Sequence, residues 1–105
     1  MSKKANQDIK QLRAIGHKLK PVVTVAGNGL SEGVAAELDR ALTDHELIKV
    51  KLAVGSREAL VEMAAQISAQ FGAEVVQSVG NILLLLRRSP SPDPRLSNLI
   101  KIKPV

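Results

Sequence analysis

The residues best suited to chemistry in this chain run from His17-Lys18-Leu19-Lys20 through Pro21-Val22-Val23-Thr24-Val25 to Ala26-Gly27-Asn28-Gly29-Leu30, a basic stretch leading through a short apolar segment into a glycine turn. That order suits a phosphate grip. Glycine lets the backbone come close to a ligand, and a helix opening just after the turn offers unpaired N–H groups and the positive end of its dipole. Lys18 and Lys20 stand just before the apolar segment, where their side chains are expected to border a phosphate held by the turn. His17 shares that position, although a lone histidine more often caps a helix or satisfies a backbone carbonyl than contacts a ligand. Asn28 tolerates left-handed φ and can donate to a phosphate oxygen.

Other constellations carry less. Asp44-His45-Glu46 brings carboxylates and an imidazole together in sequence, but adjacent residues at a helix-to-strand corner point in different directions, so a structural role is expected. Ser31, Ser56 and Ser68 have no glycine elbow and no histidine at a recognisable spacing. No Walker or dinucleotide motif occurs, and the absence of cysteine removes disulfides, thiol catalysis and thiolate metal sites. No enzymatic activity, metal or cofactor is expected.

The elements that must position the turn are legible from periodicity. Ile9, Leu12 and Ile15 predict a first helix from about Asn6 to Ile15, stopping at Gly16. Val22–Val25 is a β-branched run after Pro21 and predicts a short strand. With Ser31 as N-cap, Val34, Leu38, Ala41 and Leu42 form a helical stripe ending near Asp44. Leu47–Leu52 alternates as a half-buried strand and puts Lys49 and Lys51 on one face. Gly55-Ser56 opens a third helix carrying Leu60, Met63, Ala64, Ile67 and Phe71, with Gly72 placed as its C-terminal cap. Residues 75–79 and 82–87 predict a hairpin around Gly80-Asn81. Its first strand is interrupted by polar residues and suits an edge, whereas the second is apolar on both faces and suits the centre of a sheet.

The resulting order is α-β-α-β-α-β-β, an α/β chain of the two-layer α+β kind with a four-stranded mixed sheet. Beyond Arg88, Ser89-Pro90-Ser91-Pro92-Asp93-Pro94 can continue neither helix nor ladder. One domain over residues 1–88 and a flexible basic tail over 89–105 are expected.

Length and charge agree with a small binding domain. The 105 residues suffice for one hydrophobic core. No apolar run approaches a membrane span and the first residues lack the apolar centre of a signal peptide, so a cytoplasmic location is expected. The net charge of +5 is unevenly spread: residues 1–20 hold six basic and one acidic side chain, residues 30–46 one basic and five acidic, and residues 87–105 five basic and one acidic. Positive charge at both ends favours a polyanionic partner if the fold brings those ends to one side.

From His17 to Leu30, and again over His45-Glu46-Leu47-Ile48-Lys49-Val50-Lys51, the chain resembles the CRM RNA-binding domain family, a likeness that extends over about residues 7–88. The resemblance implies that the fourth strand inserts between the second and third, as in the C-terminal domain of translation initiation factor three. It also implies that Ala26-Gly27-Asn28-Gly29 corresponds to the family's Gly-x-x-Gly turn, likened to the phosphate clamp of KH domains. The chain departs from the family pattern at Ala26, at Asn81 where a lysine is expected, and at Leu86, where a tyrosine would precede Arg87. Phe71 is the sole aromatic residue, so base stacking has no platform and recognition is expected to rest on phosphates and RNA shape.

The resemblance therefore points to an RNA-binding monomer acting on ribosomal RNA of large-subunit precursors. Lys18, Lys20, Ala26, Gly27, Asn28 and Gly29 would grip the backbone, with Lys49, Lys51, Arg87 and Arg88 extending the basic surface. The competing reading is a protein-binding module that docks on ribosomal proteins or a processing enzyme through the acidic helix, at Glu37, Asp39 and Asp44.

Overall fold

The computed structural model of the chain describes residues 2–27 and 29–99, with side chains from Ile9 onward. Asn28 and residues 100–105, to which loop and tail roles were assigned, lie outside the described residues. The elements are α1 (Ser2–His17), β1 (Pro21–Val25), α2 (Glu32–His45), β2 (Leu47–Leu52), α3 (Arg57–Phe71), β3 (Glu74–Val79) and β4 (Ile82–Leu86). The sheet order is β1-β2-β4-β3, with β1 parallel to β2 and β4 antiparallel to both of its neighbours. The expected element order and the central place of the apolar β4 are thus observed.

Alternation along the strands builds two cores. Val23, Val25, Ile48, Val50, Leu52, Leu83 and Leu85 face α2 and α3 and meet Leu38, Leu42 and Ile67. On the other face Leu47, Val76, Leu84 and Leu86 meet Leu12 of α1, with Ile15, Leu19 and Leu99 packed alongside. α1 therefore adds a partial third layer to the two expected.

α1 does not stop at Gly16. It continues to His17 and is closed by hydrogen bonds from the N–H of Lys18 to Ile15 O (3.1 Å) and of Leu19 to Gly16 O (3.0 Å). Gly16 is buried and lies directly on β4: a Cβ there would come within 2.6 Å of Leu84 Cδ2 and 2.7 Å of Cδ1. Leu84 is 2% exposed, so its side chain must shift to admit a Cβ at position 16. The glycine is a packing residue, not a helix stop. Gly16→Ala should destabilise the domain by about 1–3 kcal/mol by overpacking, although alanine is the better helix former; urea unfolding would measure it.

The corner between α2 and β2 is a single residue, Glu46, and it carries unusual backbone geometry. Its φ of 64° is the only positive value at a non-glycine position among the described residues. Such a conformation costs on the order of 1–3 kcal/mol and persists where surrounding contacts fix it. Here they do. The Glu46 N–H donates to Leu42 O at 2.9 Å, its carbonyl accepts from Arg87 N at 2.8 Å, and its carboxylate, 3% exposed overall, accepts from Ser97 Oγ at 2.6 Å and from the Ser89 N–H.

Those last contacts correct an expectation. The chain does not leave the domain at Ser89. After Pro94 it turns on Asp93, whose carbonyl accepts from the N–H groups of Leu96 (3.0 Å) and Ser97 (2.8 Å). Asn98 then donates from N to His45 O at 2.9 Å and from Nδ2 to Leu47 O at 2.6 Å. His45 Nδ1 donates to Leu96 O at 2.8 Å; because a carbonyl only accepts, the proton sits on that nitrogen. Prolines exclude a helix or a ladder here but permit a strap, and residues 89–99 form one across the α2–β2 corner. Asp44-His45-Glu46 is structural, as its adjacency suggested.

Candidate nucleic-acid interface

The glycine turn lies at the end of the sheet where the parallel strands β1 and β2 finish. Gly29 N donates to Ala26 O at 2.9 Å, closing the turn, and Ser31 N donates to Gly29 O at 3.1 Å. Ser31 caps α2, its Oγ accepting from Val34 N at 3.3 Å. Among the described residues of the turn, Gly29 is left-handed, with φ of 77°. Ala26 has no positive φ, so the departure from the family's first glycine places no strain at that residue.

Gly27 is different from Gly29. It has no positive φ, and a Cβ built on it would meet nothing within 4 Å. Nothing within the described protein requires a glycine at that exposed position.

Two further segments share this end of the molecule. Ala53 N donates to Val25 O at 2.8 Å and Leu52 N to Asn81 O at 2.7 Å, which sets the β2–α3 loop and the hairpin turn beside the glycine turn. Ser56 caps α3, its Oγ accepting from Ala59 N at 3.1 Å. The N-termini of α2 and α3 therefore open toward the same side, at the carboxyl ends of parallel strands.

The lysines do not border the turn as expected. Lys18 and Lys20 are exposed and precede the other end of β1, and a strand rising about 3.3 Å per residue puts Lys20 roughly 20 Å from Ala26. What joins the two is β2. Lys49 pairs in register with Pro21, and Lys51 with Thr24. Both lysines project from the face that α1 covers only in part, with Lys49 half-buried and Lys51 exposed. Lys20 and Lys49 border one shallow hollow of about 210 Å³. Lys20, Lys49 and Lys51 thus form a basic row leading up the sheet to the turn. Arg88 is exposed beyond the end of β4, at the Lys20 end.

Arg87 is not part of that surface. Its Nη1 donates to Asp39 Oδ1 at 2.9 Å and to Phe71 O at 3.3 Å, and its Nη2 donates to Asp39 O at 3.0 Å and Thr43 Oγ1 at 2.8 Å. The guanidinium clamps α2 to the end of α3. Its place followed from alternation, since Leu83 and Leu85 face those helices and Arg87 is next in that series. Arg87→Met should lower Tm by roughly 4–8 °C, corresponding to about 1 kcal/mol, and leave RNA affinity unchanged within twofold.

The acidic helix is partly occupied as well. Asp39 is held by Arg87, and Asp44 lies 3.8 Å from Arg40 Nε one turn away. Among the described residues no group of three or more His, Asp or Glu could hold a metal ion, and no described helix is long and apolar enough to cross a membrane.

Comparison with known proteins agrees with this architecture. The CRS1 / YhbY (CRM) domain matches residues 5–87. A Pseudomonas aeruginosa protein named a probable RNA-binding protein is 52% identical over 90 residues, covering 86% of each chain. A Haemophilus influenzae protein named an RNA-binding protein is 47% identical over 78 residues, covering 74% of this chain and 79% of that one. The solution structure of a Staphylococcus aureus protein described as a candidate RNA binder superposes with a TM-score of 0.71 at 26% identity, covering 81% of this chain and 88% of that one. Since the match begins within α1 and runs past the end of β4, taking in the glycine turn, the lysine row and the whole sheet, the chain belongs to the CRS1/YhbY (CRM) domain family.

Proposed function

We propose that this protein binds RNA by its phosphate backbone, with the turn at 26–29 holding one phosphate and Lys51, Lys49, Lys20 and Lys18 following the strand away from it. Arg88 extends the basic surface at the far end. The observation that carries this reading is Gly27: an exposed glycine that neither its φ nor any described neighbour requires, set beside a helix N-terminus, is what close approach of an anionic backbone calls for. The names of the relatives support RNA as the partner. The acidic-helix alternative has less in its favour, because Asp39 and Asp44 already have cationic partners within the chain.

Within this reading the protein acts as a cytoplasmic monomer in assembly of the large ribosomal subunit, a role that rests on the family resemblance. Four to six phosphate contacts give a slope of log K against log salt of roughly −3 to −4 on single-stranded RNA. Anisotropy titrations at several salt concentrations check this, and a flat response would discard the phosphate grip. Crosslinking to cellular RNA separates the assembly role from binding itself: contacts should concentrate in large-subunit precursors, and contacts spread evenly over all RNA would remove that role.

A further inference from the structure

The face of the sheet that α1 leaves uncovered holds a hollow of about 410 Å³, lined by His17, Lys49, Gln77, Val79, Ile82 and Leu84. Its size falls within the range of roughly 300–1,000 Å³ typical of small-ligand sites, and its composition has the same character: an apolar floor with a few convergent polar groups. The floor is built from Leu84 and Ile82 of β4 and from Val79 of β3, which is 62% exposed. The rim carries three polar side chains from three different elements. None of the three hydrogen-bonds to, or forms an ion pair with, another described residue.

A backbone irregularity adds to this. The β3–β4 register shifts between Val75 and Gln77, and Gln77 then stands opposite Leu84. Bulges of this kind re-aim a side chain, and here one puts a carboxamide at the edge of the hollow.

We infer that this hollow takes one unpaired nucleobase of the RNA whose backbone follows the lysine row, an inference that rests on the phosphate-binding reading above. Continuity supports it, because Lys49 belongs both to the row and to the rim. Lys49 pairs with Pro21, five residues or roughly 17 Å along the strand from Ala26, and the hollow extends from there across β4 and β3 at about 5 Å per strand. The rim offers donors and one acceptor to a base edge. Lys49 offers only donors, and Gln77 offers donors and one acceptor. Uracil meets both with a ring carbonyl and its neighbouring N–H, guanine with O6 and N1–H, and adenine with a ring nitrogen and its N6 amino group. The apolar floor replaces the aromatic platform that the chain lacks, covering the base face by burial instead of stacking.

The test uses the full chain and three fluorescein-labelled RNA hexamers at one salt concentration: hexauridylate, hexaadenylate and an abasic hexamer with the same phosphates. Hexauridylate and hexaadenylate should each bind about tenfold tighter than the abasic strand. Gln77→Leu should bring hexauridylate to within about twofold of the abasic strand and leave the salt slope unaltered, because no charge is removed. His17→Ala, at an exposed helix end, carries the same test should Gln77→Leu fail to fold. Equal binding of hexauridylate and the abasic strand, with a steep salt dependence, would overturn the base site and leave the phosphate grip standing. Failure of all three hexamers to bind at low salt would overturn both.

Discussion

A chain ending at Arg88 should melt roughly 10–20 °C below the full-length protein, an effect on the order of 3 kcal/mol for a domain of this size. The reason is Glu46. Truncation removes Ser97 Oγ and the Ser89 N–H from its carboxylate, and so takes away two of the contacts that hold Glu46 at the one positive φ of a non-glycine position among the described residues. Leu47 O also loses Asn98 Nδ2, and the cluster under α1 loses Leu99. Ser97→Ala isolates one bond and should cost about 1–2 kcal/mol. Thermal melts of both variants decide the matter: a truncated chain melting within a few degrees of the parent would show that the strap contributes nothing to stability.

Gly27→Glu should lower RNA affinity by about ten- to thirtyfold at moderate salt while leaving Tm unchanged, from placing a carboxylate where a phosphate is held. Its φ and open surroundings make the substitution tolerable to the fold, and loss of glycine freedom in the unfolded chain offsets any small strain. Gly29→Ala is the converse. At φ of 77° a side chain costs roughly 1–2 kcal/mol, so this variant should melt lower and lose less affinity. Lys20→Glu tests the separation of the two ends. Roughly 20 Å from the turn, its loss should add to that of Gly27→Glu, whereas strongly sub-additive losses would place both residues on the same phosphate. Anisotropy titrations of the single and double variants, beside their melts, give all of these quantities.

The helices and strands were legible because their signals are local. Ser31, Ser56 and Gly72 fell where they cap, and the two-sided apolar run of β4 announced a central strand. Gly16 misled because a glycine at a helix end usually marks a stop; here it marks contact with Leu84, which lies 68 positions away and leaves no local trace. The strap escaped for a similar reason. Prolines state what a segment cannot form, not whether it docks, and the signal lay in Ser97 and Asn98, polar residues whose partners are at positions 46 and 47. Within the candidate site, proximity in sequence placed Lys18 and Lys20 beside the turn, but an extended strand carries its two ends apart. Alternation would have assigned Arg87 to the helix side had it been followed past Leu85.

The position of β4 has a consequence for how the molecule comes into being. β1 and β2 can pair early, but a two-stranded ribbon lacks independent stability, and β3 has no partner in the sheet except the strand that follows it. Until residues 82–86 arrive, both halves of the sheet present bare edges, and the two cores lack Leu83 and Leu85 on one face and Leu84 and Leu86 on the other. Assembly is therefore a late, concerted event in which the last strand acts as a keystone. Refolding should be a single cooperative phase, slowed by the long loops that β4 closes, and a growing chain that has not yet reached Leu86 is an open-edged species suited to chaperone capture.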